Sequence, residues 1–415
     1  MASAQSGHAE KFDVLIVGAG HAGAQVALAL LHAKFSGSIA LLGDEQELPY
    51  ERPSLSKEYL SGKKGFDRIL LRPANFWRDS GIRTLPGKRV TAVQPDEHYV
   101  TCADGSTYGY GHLVWATGGV ARQLRIEGHN LKGIHTLRNR TDADRIRAEL
   151  CATERVVVVG GGYIGLEVAA ALVQTGKRVT LVEALDRVLA RVAGEPISRF
   201  YEAEHRGRGV DIRLGAAVES ITGREQGRVS SVKLADGDVL DCDLLIVGVG
   251  ILPATQPLVE AGATGGDGVE VDHQCRTSLP DIFAIGDCAA HSNSYAGNAR
   301  IRLESVQNAN DQAAVVAKVL CGVPSTYDAV PWFWSNQYDL KLQTVGISAG
   351  HDQTVVRGDT STRSFSVIYL RGGRVVALDC VNAMKDYVQG KRLVKEKLVI
   401  APSLLSDAAR PLNEM

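Results

Sequence analysis

The sequence predicts an α/β fold in which one strand–turn–helix unit is used twice, followed by a smaller α+β region. Three observations carry this reading. The segment FDVLIVGAGHAGAQVALAL near the start has a counterpart, RVVVVGGGYIGLEVAAALVQTG, in the middle of the chain. Glycine is abundant (44 of 415 residues) while aromatic residues are only 6%, which suits tight strand-to-helix turns better than an all-β sandwich. After Pro331 the text changes to alternating β-type segments, WFWSNQYDLKLQTVGI and SFSVIYLRGGRVVALDCV, and then to a helical tail.

The first unit reads as a strand over Phe12–Val17, a turn Gly18-x-Gly20-x-x-Gly23 that includes Ala22, an Ala/Leu-rich helix, and a strand over Ser38–Leu42. The second repeats the pattern with Gly160-x-Gly162-x-x-Gly165, Tyr163 and Ile164 inside the turn, and a strand over Val179–Glu183. In such a unit the first glycine permits the tight turn, the second lets backbone approach a pyrophosphate, and the third allows helix to pack closely on strand. The helix N-terminus then offers unpaired N–H groups and the positive dipole end to the phosphates. Both units are therefore Rossmann-like, each of a size to hold one dinucleotide.

The remaining elements fall around them. Strand-rich text from Gly81 to Gly119 turns at Asp104-Gly105 and ends in LVWATGG, and a parallel stretch from Val210 to Gly250 turns at Asp236-Gly237 and ends in LLIVGVG. TSLPDIFAIGDCAA is strand-like over Phe283–Ile285 and closes on Gly286-Asp287, and a helix starting at Ser305 or Val306 runs to Leu320. The first glycines of the two motifs lie 142 residues apart, which suggests one nucleotide domain inserted into the other. The expected domains are 1–120 with 252–330, the inserted 121–251, and 331–415.

Composition sets the outer limits. With 45% hydrophobic and 22% charged residues the chain is an ordinary globular one, and a net charge of −1 gives no global attraction to nucleic acid or anionic membrane. No apolar run approaches the roughly 18 residues needed to span a bilayer. The opening MASAQSGHAEK lacks the basic and apolar regions of an export signal. Seven scattered cysteines contain no C-x-x-C and read as free thiols of a reducing cytoplasm. The 11 histidines show no metal-ligand spacing, and no G-x-S-x-G elbow is present, so neither a metal centre nor a serine hydrolase is expected.

Two nucleotide sites in one chain suggest two different dinucleotides exchanging electrons. In the second unit Glu183 ends the strand 23 residues after Gly160, where a carboxylate accepts from a ribose diol and repels a 2′-phosphate. That favours NADH over NADPH, with Arg187 and Arg191 nearby as a counterweight. In the first unit the matching position is Gly43, so the ribose carboxylate is expected from Asp44.

Together the two motifs, LPYERPSLSKEYL, LVWATGG, IFAIGDCA and PWFWS resemble the two-dinucleotide flavoprotein disulfide reductase superfamily. The chain is most similar to its oxygenase-coupled NADH-dependent ferredoxin reductases, the putidaredoxin reductase and biphenyl dioxygenase reductase-like group. The resemblance covers essentially the whole chain and implies two glutathione-reductase-type dinucleotide domains plus a C-terminal α+β domain. It implies FAD in the first site and NADH in the inserted domain, with a [2Fe–2S] ferredoxin as partner and neither nucleic acid nor membrane. It carries FAD contacts to Gly18, Gly20, Ala22, Gly23, Asp44, Arg52, Lys57, Val90, Arg138, Asp287, Val306 and Trp334, and NAD contacts to Gly160, Gly162, Tyr163, Ile164, Gly165, Glu183, Arg191 and Gly250. Lys57 resembles the lysine at the flavin N5/O4 edge, and Glu167 the glutamate paired with it near the nicotinamide. Both are expected to act in catalysis by positioning and polarising. Ser305 reads as the N-cap of the helix whose positive end faces the flavin N1–C2=O edge.

The same scaffold also serves NADH oxidases and monodehydroascorbate reductase-like enzymes, and the apoptosis-inducing flavoproteins that bind DNA. The missing C-x-x-C argues against a disulfide reductase, and the near-neutral charge against DNA binding. The expected protein is cytoplasmic and a monomer or weak homodimer. A candidate surface for ferredoxin is the basic run Arg371, Arg374, Lys385, Lys391, Arg392, Lys395 and Lys397.

Overall fold

The computed structural model of the chain describes residues 10–224 and 227–415. The opening residues 1–9, on which the export reading largely rests, lie outside the described residues. The chain packs as two compact units: residues up to Glu51 with Asp67–Val120 and Leu252–Ala329, and Arg52–Phe66 with Ala121–Ile251 and Val330–Met415. The second unit thus takes in both the region of the second glycine motif and the C-terminal region, together with the short segment that carries Lys57.

In the first unit the strand Glu10–Val17 pairs in parallel with Ile39–Leu42 on one side and Thr107–Trp115 on the other. Arg83–Leu85 extends the sheet beyond Ile39–Leu42, and Ile282–Ala284 pairs in parallel with Thr107–Trp115. The registers Leu42↔Leu85, Val17↔Leu42, Val17↔Trp115 and Ala284↔Trp115 bring five carboxyl ends to one edge. That edge is where open α/β sheets present ligands. Strand alternation divides the apolar residues between two faces. Val14 and Ile16 pack with the helices His21–His32 and Val306–Leu320, while Leu15 and Val17 pack with Trp115, Leu258 and Val269. The contact between the two helices runs along small residues, among them Ala24, Ala27, Ala309 and Ala313, which let the backbones approach.

The second unit has its own parallel sheet, ordered Asp211–Arg213, Arg178–Val182, Arg155–Val159, Leu244–Val247, Ile134–Thr136. Here too the carboxyl ends align, through Val182↔Arg213, Val182↔Val159, Val247↔Val159 and Val247↔Thr136. A three-stranded antiparallel sheet (Val218–Gly223, Val229–Leu234, Val239–Asp241) covers it. The C-terminal region forms a five-stranded antiparallel sheet, ordered Trp332–Gln337, Leu340–Gly346, Arg374–Val381, Ser364–Arg371, Gln353–Asp359, with the helix Met384–Lys395 packed on it. This is the α+β region read from the alternating text. Small shifts of boundary accompany these elements: the strand expected over Val179–Glu183 is Arg178–Val182, leaving Glu183 just past its end, and that expected over Phe283–Ile285 is Ile282–Ala284.

Among the described residues no helix is long and apolar enough to cross a membrane.

Candidate active site

Both glycine turns leave the carboxyl edge of their sheets with the same geometry. Gly18 and Gly160 have φ of 113° and 107°, a left-handed region that favours glycine. Side chains on Gly23 and Gly165 would run into the carbonyl oxygens of Gly18 and Gly160, so each helix packs its first turn directly on its own loop. At Gly162 an added Cβ would meet no protein atom within 4 Å, so the space over the turn is open to a ligand. The helices His21–His32 and Tyr163–Val173 start at Gly20 and Gly162 without a side-chain cap, whereas Asn139 and Ser305 cap theirs, Ser305 by accepting from the Asn308 N–H at 3.0 Å. A helix that starts at a glycine turn without a side-chain cap suits a diphosphate. The residues present therefore fit two dinucleotides.

In the first unit, Gly286 lies against the start of the glycine helix, where its Cβ would come within 3.1 Å of the Ala22 side chain. The Gly286 N–H donates to Oε1 of buried Gln312 at 2.7 Å, which fixes the Gly286–Cys288 turn carrying half-buried Asp287. Asp44 is exposed just past the strand Ile39–Leu42, and Val306 opens its helix half-buried. Val90 is 8% exposed and packs in the core below the sheet.

In the second unit, Glu183 reaches back to the glycine turn. Its Oε2 accepts from the Gly161 N–H at 2.6 Å and its Oε1 from the Leu185 N–H at 2.9 Å. The carboxylate thus braces the turn. Arg187 is occupied by the carbonyls of Ala190 and Ala193 and by Ser198, while Arg191 is exposed. Ile164 is 40% exposed beside the turn, and Gly250 has a φ of 98° at the end of its strand loop.

The residues Lys57 and Glu167, 110 positions apart, meet in this unit. Lys57 Nζ is 2.7 Å from Glu167 Oε2, with the side chains only 12% and 5% exposed, and Nζ also donates to the Pro53 carbonyl at 3.1 Å. Ser56 Oγ donates to the same carboxylate oxygen at 2.6 Å, and Ser335 Oγ to Oε1 at 2.6 Å. A charge at this depth is tolerable only when paired and fully hydrogen-bonded, a condition these three donors meet. Nearby, Arg52 donates to the Arg138 carbonyl at 3.0 Å, and the Arg138 N–H to Asp142 at 2.9 Å. The Tyr163 ring lies 4.5 Å from Phe333, and burial pushes its phenol well above the usual range. Trp334, half-buried, lies 5.7 Å from Trp332.

Ser56 and Ser335 lie in PYERPSLSK and PWFWS, where no motif marks either as functional. The signal was available: Ser56 adjoins Lys57, and Phe333, Ser335 and Gln337 share one face of a strand by alternation.

Residues 12–313 match the family described as Pyridine nucleotide-disulphide oxidoreductase. The chain belongs to that family. The rest of this oxidoreductase, residues 332–415, matches the Reductase C-terminal family. It is 59% identical to the 5,5′-dehydrodivanillate O-demethylase ferredoxin reductase subunit of Sphingobium sp., over 97% of this chain and 98% of that one. It is 41% identical to putidaredoxin reductase of Pseudomonas putida, over 97% and 96% of the two chains. Among solved structures it is similar to the covalent putidaredoxin reductase–putidaredoxin complex, with a TM-score of 0.93 and 40% identity, covering 98% of this chain and 97% of that one. The fold class expected from the sequence, two Rossmann-like units with a C-terminal α+β region, is that of this oxidoreductase.

Proposed function

We propose that this oxidoreductase is an FAD-dependent ferredoxin reductase that moves electrons from NADH through FAD to a [2Fe–2S] ferredoxin feeding an oxygenase, a P450 or a Rieske dioxygenase. One observation carries the reading: two glycine turns, each opening a helix without a side-chain cap, stand in a chain that aligns over 97% of its length with ferredoxin reductases. FAD, when bound, accepts the two electrons of a nicotinamide hydride and passes them on singly, which nicotinamide alone does not do.

The chain's own residues supply binding and electrostatics. For FAD these are Gly18, Gly20, Ala22 and Gly23 at the diphosphate, with Asp44, Arg52, Lys57, Arg138, Asp287, Val306 and Trp334. For NADH they are Gly160, Gly162, Tyr163, Ile164 and Gly165, with Glu183, Arg191 and Gly250. Val90, packed in the core, supports its site from beneath. Lys57 holds a fixed positive charge, and Glu167 holds Lys57. Hydride transfer needs alignment more than proton shuttling, so a rigid, fully partnered ion pair suits it. The protein acts in the cytoplasm as a monomer or weak homodimer, without nucleic acid or membrane.

The test is ferredoxin bleaching: purified holoprotein with NADH should reduce a [2Fe–2S] ferredoxin catalytically, and a gel shift with duplex DNA should be negative. Rapid NADH oxidation by dioxygen or monodehydroascorbate with no ferredoxin reduction would assign it to the oxidase-like branch instead.

A further inference from the structure

The carboxylate of Glu167 is the end of a longer buried chain. Gln337 Nε2 donates to Ser335 Oγ at 3.2 Å, His205 Nε2 lies 2.8 Å from Gln337 Oε1, and Tyr338 Oη lies 3.1 Å from His205 Nδ1. Ser335, Gln337 and His205 are 0%, 1% and 0% exposed. The donor inventory fixes the direction of every bond. The Gln337 oxygen faces the imidazole, so Nε2 carries the proton and Nδ1 accepts from the Tyr338 hydroxyl. Ser335 accepts from Gln337, so its single proton goes to Glu167. Burial keeps the imidazole neutral, lowering its pKa to about 4. Four donors in series therefore point one way, toward one carboxylate oxygen.

Glu167 needs such a hold. Among the described residues its Oε2 is bonded by Ser56 and Lys57, neighbours on one short segment that includes the single-turn helix Arg52–Ser56. Its Oε1 is tied through Ser335 to the middle of a β-sheet strand, a stiffer support. We propose that Ser335, Gln337 and His205 are positioning residues: their one-way hydrogen-bond chain fixes the rotamer of Glu167 and thereby the place of Lys57 Nζ. The inference rests on the proposed function for what Lys57 does, and on geometry alone for how it is held.

Satisfying buried polar groups is a competing purpose for such a chain, so the test measures coupling to Glu167. Ser335→Ala and Gln337→Met are made in the parent holoprotein and in Glu167→Gln. Two quantities are followed: the limiting rate of flavin reduction by NADH in anaerobic stopped flow, and the rate at which Lys57 is acetylated by N-hydroxysuccinimide acetate without NADH, read by peptide mass spectrometry. Losing one charge-assisted donor should slow flavin reduction by about tenfold with little change in NADH affinity, and speed Lys57 acetylation severalfold. In Glu167→Gln both effects should shrink to less than about twofold. Equal slowing in both backgrounds, or unchanged Lys57 acetylation, overturns the proposal. Should Ser335→Ala not fold, Gln337→Met gives the same reading with the Ser335 hydroxyl retained. A parent protein that reduces no ferredoxin would defeat the functional assignment, while the acetylation arm still decides the chain.

Discussion

Ser335 Oγ donates a 2.6 Å hydrogen bond to Oε1 of Glu167, joining a strand and a helix 168 residues apart in the sequence. Two periodicities make the match. Along the strand Trp332–Gln337, Phe333 and Ser335 face the same way about 6.6 Å apart, and along the helix Tyr163–Val173, Tyr163 and Glu167 lie one above the other about 6 Å apart. Phe333 meets Tyr163 as Ser335 meets Glu167, so an apolar pair and a polar pair fix one register.

The ion pair sets the first prediction. Lys57→Met leaves the Glu167 carboxylate buried without its cation, which costs about 3–5 kcal/mol of stability, whereas Glu167→Gln keeps a neutral acceptor and should cost less. Both should slow flavin reduction by NADH in stopped flow. Rates equal to the parent's would return the pair to a packing role.

Much of this was legible in the sequence because it is local. Gly18 and Gly160 announce their turns through a spacing that only a strand–turn–helix unit requires, and Glu183 stands where the second strand must end. The partners of Glu167 were not legible, since Ser56, Ser335, Gln337 and His205 converge only through long-range packing. Near the start of an apolar helix, Glu167 also reads as a helix-stabilising carboxylate favoured by the dipole, and its 5% exposure with buried partners is what sets it apart. Asp44 shows the opposite case: it stands exposed just past the strand Ile39–Leu42, and position alone does not assign it a ligand.

A second buried carboxyl gives a pH prediction. Asp379 accepts from the Tyr369 hydroxyl at 2.6 Å, and Tyr369 in turn accepts from the Gly194 N–H at 2.9 Å. Burial pushes the Asp379 carboxyl up to about 7, against the pull of the Tyr369 hydrogen bond. The native protein then keeps a proton that the unfolded chain releases from about pH 4 upward. Stability from this group is full below that point, falls as pH rises, by at most about 1.4 kcal/mol per unit, and levels off above about 7. Asp379→Asn should remove this slope, so its thermal midpoint should change less than the parent's between pH 5 and about 8. Parallel curves would place the proton elsewhere.

Nicotinamide preference follows from Glu183. Glu183→Ala combined with Ala184→Arg removes the ribose carboxylate, adds a cation at an exposed neighbour, and should weaken NADH use while improving NADPH use. Because Glu183 also braces the Gly161 and Leu185 amides, Glu183→Ala alone should weaken both nucleotides. The ratio of kcat/KM for the two nucleotides checks this, and an unchanged ratio would mean that Glu183 does not face the ribose.

The last prediction concerns the ferredoxin. A partner that must deliver its cluster, take one electron and leave is served by a small, charge-steered interface. A net charge of −1 places any steering in a local patch. The structure sorts the basic run near the C-terminus. Lys391 sits over the Trp332 and Tyr387 rings at 5.3 and 4.4 Å, Arg392 bonds the carbonyls of Asn413 and Met415, and Arg371 those of Ala349 and Gly350. Lys385, Val388, Arg392 and Lys395 share one exposed face of the helix Met384–Lys395, with Val388 59% exposed between the charges. Attraction between exposed charges fades over about 8–10 Å near physiological salt, so electron transfer to an acidic ferredoxin should weaken as salt rises while reduction of a small neutral dye barely changes. Lys385→Glu with Lys395→Glu should raise the apparent KM for ferredoxin several-fold and leave dye reduction by NADH at the parent rate. Neither lysine lies in the nucleotide or ion-pair machinery, so normal ferredoxin kinetics in this variant, with a flat salt profile in the parent, would move the docking surface off this helix.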